Sequence, residues 1–194
     1  MDFEIRRKTI HILEGSAALF SVYFDFFPVE LILSSLLIGL GISFLIKRRE
    51  TMLDKLSEKF GREENKNTIP GQGSIFLAIG ILLSVIFFDK NVAMAAIVTV
   101  TFGDSIGALV GMYFGRLKNP FNRSKHVEGT LAGFAVAALI NTLFLAPLTS
   151  ILVSATGLII ESIDFELNGF DVDDNLTVPI SVGVAYLVLM ALPI

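Results

Sequence analysis

The chain has 194 residues, 53% of them hydrophobic and 18% charged, with a formal net charge of −4 and a mean hydropathy of +0.72. That is more apolar material than a water-soluble domain of this size can bury, so a soluble globule is excluded. The absence of cysteine removes disulfides and thiolate metal sites, and no basic domain is present to bind nucleic acid.

Apolar runs lie at 9–27, 29–46, 73–88, 91–114, 129–146, 147–160 and 177–194. A helix needs about 20 residues to cross a bilayer, so these runs predict about seven transmembrane helices. The first follows Arg6-Arg7-Lys8, as a signal peptide would. His11 and Glu14 interrupt it, however, and no small-x-small cleavage site follows, so it reads as a retained helix. Between the second and third runs, Met52, Leu53, Leu56 and Phe60 share one helical face and Asp54, Lys55, Glu58 and Lys59 the other, before Gly61. That pattern predicts a short amphipathic helix on the membrane surface. The run 147–160 extends only about 21 Å against a core of about 30 Å. It is either a tilted span or a re-entrant segment. In the second case the 161–176 loop lies on the opposite face.

With the N-terminus in the cytoplasm, the cytoplasmic segments are the N-terminus, 47–72, 115–128 and 161–176. They hold 14 of the 15 Lys and Arg residues, leaving only Lys90 outside. So one-sided a distribution supports this orientation. The expectation is an all-α polytopic membrane protein, with one domain over 1–194.

Chemistry concentrates in 102–134. Gly103, Gly107, Gly111 and Gly115 recur every fourth residue and predict one small-residue face; Gly129, Gly133 and Ala137 predict another. Close helix packing explains such stripes, and close backbones also admit a nucleotide. Asp104 fits packing less well, because a carboxylate inside an apolar run is costly and usually faces a polar cavity. The following loop carries Arg116, Lys118, Arg123 and Lys125, then Glu128 and Gly129 at a helix start. The cations alone are an ordinary positive-inside loop. Beside a buried carboxylate they also suit phosphates and a divalent cation, and a helix N-terminus helps hold an anion. The segment 171–180, DVDDNLTVPI, supplies Asp173, Asp174 and Asn175. One of these residues suffices to cap a helix, and the remainder suit a metal. At the N-terminus, Lys8, His11 and Gly15 share a face; His11 is either a packed histidine or a site residue. Two histidines without cysteine argue against zinc.

Four segments together resemble the CTP-dependent lipid-alcohol kinases: dolichol kinase, phytol kinase and the yeast-type diacylglycerol kinase, which are similar in turn to the CDP-diacylglycerol synthases. They are RKTIHILEG (7–15), GDSIGALVGMYFG (103–115), SKHVEGTLAGF (124–134) and DDNLTVPI (173–180). One departure is His126, where that family commonly has Ser. The resemblance implies transfer of the γ-phosphoryl of CTP to a membrane alcohol, such as a polyprenol, dolichol or diradylglycerol, with Mg²⁺ as cofactor. It implies that Asp104 with Asp173 or Asp174 holds Mg²⁺. Lys125, Arg123 and Arg116 would bind the triphosphate beside Gly103, Gly111, Gly115 and Gly129. Asn175 and Glu128 would orient ligands, and His11 or an acidic group would assist deprotonation of the alcohol. A cytidylyltransferase is the nearest alternative, although the His-Gly-Gly signature of that family is absent; a non-enzymatic transporter is the other. The short loops favour a prokaryotic plasma membrane, with the site on its cytoplasmic face.

Overall fold

The computed structural model describes residues 2–48, 71–163, 165–167 and 170–192. The amphipathic helix expected at 52–60, and the cations Arg62 and Lys66 beside it, lie outside the described residues.

Each apolar run becomes one helical segment: α1 (Asp2–Tyr23), α2 (Pro28–Arg48), α3 (Gln72–Phe87), α4 (Lys90–Val98) continuing into α5 (Asp104–Phe114), α6 (Val127–Asn141), α7 (Pro147–Glu161) and α8 (Asp174–Ala191). Among the described residues three stretches are long and apolar enough to cross a membrane: Pro28–Lys47, Lys90–Phe114 and Asp174–Ala191. Helices α3, α6 and α7 are apolar but shorter. One element departs from the all-helical expectation. Phe165–Leu167 (β1) and Phe170–Val172 (β2) form a small antiparallel hairpin, with Phe165 opposite Val172.

Helices α4 and α5 form one rod joined by a π-helical turn, Thr99–Gly103. The rod runs through the middle of the molecule. Ala95, Ala96, Ile97 and Val98 are fully buried, and Leu77, Ile81 and Val178 close around the rod. Helix α2 lies outside, with Leu37, Ile38 and Phe44 exposed, as suits a surface solvated by lipid.

Glycine decides how α5 and α6 meet. A methyl group on Gly129 or Gly133 would strike the carbonyl of Gly107 or Gly103, and one on Gly107 would sit 3.1 Å from the Gly129 carbonyl. The two backbones therefore touch, as the stripes predict. Gly115 is a correction to that pattern. It lies beyond the end of α5 in extended conformation (φ −65°, ψ 129°), and the His126 side chain fills the space beside it. At the far end of α6, Asn141 is buried and donates to Thr99 Oγ1 (3.0 Å) and Ser154 Oγ (2.9 Å). Three helices are tied there by polar contacts, which water cannot replace in hydrocarbon.

Terminal chemistry sets the ends. Pro147 opens α7, where a missing N–H costs nothing. The Asp173 side chain caps α8, accepting from the Asn175 backbone N–H at 3.0 Å. Pro179 within α8 removes the N–H that would otherwise bond the Asn175 carbonyl, and Gly80 of α3 packs against that carbonyl.

Candidate functional site

The 115–126 loop is held in shape by its own backbone. Lys118 pairs with His126, the Asn119 N–H donates to the Lys125 carbonyl (3.0 Å), and the Val127 N–H donates to that of Leu117 (2.9 Å). Asn119 and Asn122 each fold a turn by accepting from the N–H two residues on (2.9 Å each). Glu128 reaches back from the first turn of α6 and accepts from the Arg116 and Leu117 N–H groups (3.1 Å each). The loop thus projects Lys125 inward, while Arg116, Lys118 and Arg123 are exposed.

Lys125 Nζ donates to the Glu161 carbonyl (2.5 Å), to Glu161 Oε1 (2.6 Å) and to Asp174 Oδ2 (2.9 Å). These contacts bring the start of α6, the end of α7 and the start of α8 to one end of the bundle. Glu161, which ends α7, and Asp174, which begins α8, therefore meet the 115–128 loop on one face.

Asp104 completes the group. It is the first residue of α5 after the π turn and only 5% exposed. Its Oδ2 accepts from Lys8 Nζ at 2.5 Å. His11 Nε2 stands 3.6 Å from the same oxygen and donates to the Val100 carbonyl at 3.0 Å. π-helical turns recur at functional sites, and this one delivers both Asp104 and the Val100 carbonyl to α1. Carboxylate oxygens of Asp104, Glu161 and Asp174 lie within 4.8 Å of one another.

Three carboxylates and two ammonium groups, largely out of water, make a site of high electrostatic stress. Such charges persist only when paired. Burial alone would lower the pKa of Lys125, but Asp174 and Glu161 overcome it and raise it well above the ordinary lysine range. Burial, and then the adjacent Asp174 carboxylate, push Asp173 up to about 6.

Of the residues singled out from sequence, Asp104, Lys125, Asp174 and His11 converge. Asp173 and Asn175 stand beside them as a capping pair, with Asn175 Nδ2 donating to Asp173 Oδ1 at 2.7 Å. Glu128, Arg116 and Arg123 belong to the loop over the cluster. Gly103 faces Leu158 and Ala137, Gly111 faces Gly129 and His126, and Gly129 faces Gly107 and Gly111; all three serve the helix seam. Two members were not foreseen as site residues. Lys8 was legible only as part of a shared helix face, and Glu161 only as a carboxylate ending an apolar run.

A divalent cation fits this donor set. Three carboxylates within reach of one another offer hard oxygens, and Asn175 Oδ1 is buried without a hydrogen-bond partner among the described residues.

No family model and no solved structure matches the chain. Curated proteins do. An uncharacterized protein of Methanocaldococcus jannaschii is 34% identical over 184 residues, covering 93% of this chain and 91% of its own. Phytol kinase 1 of Arabidopsis thaliana is 26% identical over 205 residues, covering 91% of this chain. CTP-dependent diacylglycerol kinase 1 of Saccharomyces cerevisiae is 24% identical over 130 residues, or 56% of this chain. The named kinases that the chain is similar to, at 24–29% identity, are phytol, farnesol and CTP-dependent diacylglycerol kinases. The chain spans 64% of the length of that phytol kinase and 45% of that diacylglycerol kinase. All four segments that carry the resemblance to this kinase family contribute to the cluster or its capping loop: Lys8 and His11, Asp104, Lys125 and Glu128, and Asp173 to Asn175.

Proposed function

We propose that the chain is a CTP-dependent kinase that transfers the γ-phosphoryl group of CTP to the hydroxyl of a membrane alcohol, an isoprenoid alcohol or a diradylglycerol, at the cytoplasmic face. The observation that carries this reading is the cluster of Asp104, Glu161 and Asp174 with Lys8 and Lys125 at one end of an apolar bundle. A water-soluble donor and a lipid acceptor meet only at such an interface.

In this mechanism the alcohol oxygen attacks the γ-phosphorus, the bond from that phosphorus to the β-phosphate oxygen breaks, and CDP departs. Asp104, Glu161 and Asp174 are the residues that would hold Mg²⁺, with Asp173 as the cap that orients Asp174. Bound there, Mg²⁺ supplies neutralisation of the charge on the transferring phosphates. Lys125 turns from its carboxylates to the phosphates, whose negative charge takes over from Glu161 and Asp174 in holding it protonated. Arg116 and Arg123, exposed on the rim, attract the triphosphate. Donation from His11 Nε2 to the Val100 carbonyl leaves Nδ1 as an acceptor, which suits His11 to receive the proton of the alcohol. Glu128 acts through the loop, fixing where Lys125 points.

The test uses purified protein in detergent with Mg²⁺, a panel of lipid alcohols and phosphatidic acid, and CTP labelled at the α or the γ phosphate. Label from the γ position in lipid is expected, and the responding alcohol names the substrate. Label from the α position would make the chain a cytidylyltransferase. Transfer from neither, with the protein folded, overturns the enzymatic reading.

A further inference from the structure

A second carboxylate lies within the apolar stretch of α1 and takes no part in the cluster. Glu14 is half-buried, hydrogen-bonds with Ser74 in the first turn of α3, and lines a cavity of about 90 Å³ between α1, α2 and α3. The rest of the wall is almost wholly apolar, formed chiefly by Ala18, Leu31, Ile32, Ala78 and Ile81. Nothing in packing calls for an ionisable group there, and such residues at membrane depth mark binding or transport functions.

Glu14 follows His11 by about one turn of α1, so the cavity lies beside the helix that carries Lys8 and His11. Ser74 follows Gly73, whose α-carbon packs beside the Asn175 side chain: a methyl group there would lie 3.7 Å from Asn175 Nδ2. Asn175 adjoins Asp174. On the other side, Gly15, next to Glu14, is pressed against Thr101 one turn before Asp104. A molecule with its head at Glu14 therefore lies about one turn of α1 from His11, with its tail between α1, α2 and α3.

We infer that this cavity receives the lipid alcohol, with Glu14 accepting the hydrogen bond of its hydroxyl and the first carbons of its chain enclosed by α1, α2 and α3. An uncharged donor head on an apolar tail matches one acceptor in an otherwise apolar wall. A phosphorylated lipid does not, because its phosphate would be repelled by the carboxylate. The site thereby favours the acceptor of the reaction over its product. This inference rests on the kinase reading for its substrate class.

Two experiments test it. In phosphatidylcholine nanodiscs, a diazirine-bearing analogue of geranylgeraniol should label peptides containing Ala18, Ile32 or Ala78 and be competed by unmodified geranylgeraniol. Ala78→Phe, which fills the cavity, should abolish that labelling without lowering the melting temperature. Labelling elsewhere, or labelling indifferent to Ala78→Phe, overturns the site. In the kinase assay, Glu14→Ala should raise the KM for the alcohol by about tenfold or more, the scale of one lost charged hydrogen bond. The KM for CTP should stay unchanged, and Glu14→Gln, which still accepts, should lie between. An unchanged alcohol KM in Glu14→Ala overturns the role of Glu14. If the wild-type protein moves no phosphate from CTP, the kinase reading fails, while the photolabelling still decides the cavity.

Discussion

Asp104 shows what a single residue does in this protein. Its carboxylate is held by Lys8 and approached by His11 from α1, while its backbone begins α5. Asp104→Asn preserves shape and removes the charge, so the phosphotransferase activity should fall by roughly 10²–10³-fold with the melting temperature little changed. Glu161→Gln should behave alike, which would place this unforeseen carboxylate among the working ligands. Asp173 acts differently, and pH exposes it. Its folded pKa of about 6 exceeds the unfolded value of about 3.9, so the folded state holds the proton more tightly. Its contribution therefore favours folding at low pH and is lost as pH rises through about 4 to 6. In EDTA, melting temperatures across that window should decline less steeply for Asp173→Asn, which retains the cap.

At the scale of elements, the α5–α6 seam and the α6–α4–α7 polar knot can be ranked by magnitude. Gly133→Leu drives a side chain into the Gly103 carbonyl. Overpacking of this kind costs about 1–3 kcal/mol or more, and here the obstacle is backbone, which cannot rotate away. Asn141→Ala removes two hydrogen bonds, each worth about 0.6 kcal/mol on average inside a membrane. Unfolding titrations in mixed micelles should therefore show the glycine substitution as the more damaging. The reverse order would mean that helix approach matters less than polar contacts. Because Asp104 opens α5 at this seam, Gly133→Leu should also reduce activity.

For the whole molecule, the arrangement places every site residue at one end and the Asp25–Lys90 ion pair at the α1–α2 turn. The chain contains no cysteine, so single introduced thiols report sidedness cleanly. In sealed inverted vesicles, where the cytoplasmic face points outward, Lys118→Cys should react with an impermeant maleimide and Asp25→Cys should not; the opposite pattern would reverse the orientation. Removal of divalent cations should stop phosphoryl transfer and leave the fold intact, since Lys8 and Lys125 already neutralise much of the cluster.

Much of this was written in the one-dimensional pattern. Run length and hydropathy located most helices to within a few residues, although α1 begins at Asp2, seven residues before its apolar run, and α6 ends at Asn141, five before the end of its own. The cost of placing unpaired backbone and charge in hydrocarbon leaves few alternatives. Asp104 was legible for the same reason, as a charge where none should be, and Lys125 by its place between the glycine stripes. Glu161 was not, because a carboxylate at the end of an apolar run is ordinary until Lys125, 36 residues earlier, is seen to meet it. The π turn was equally silent, since its residues suit an α-helix locally and only packing against α1 and α6 gives the wider turn a purpose. Sequence determined which segments are helical and apolar and which charges are expensive. Tertiary structure decided which expensive charges share a site, because their pairing depends on contacts between helices far apart in the chain.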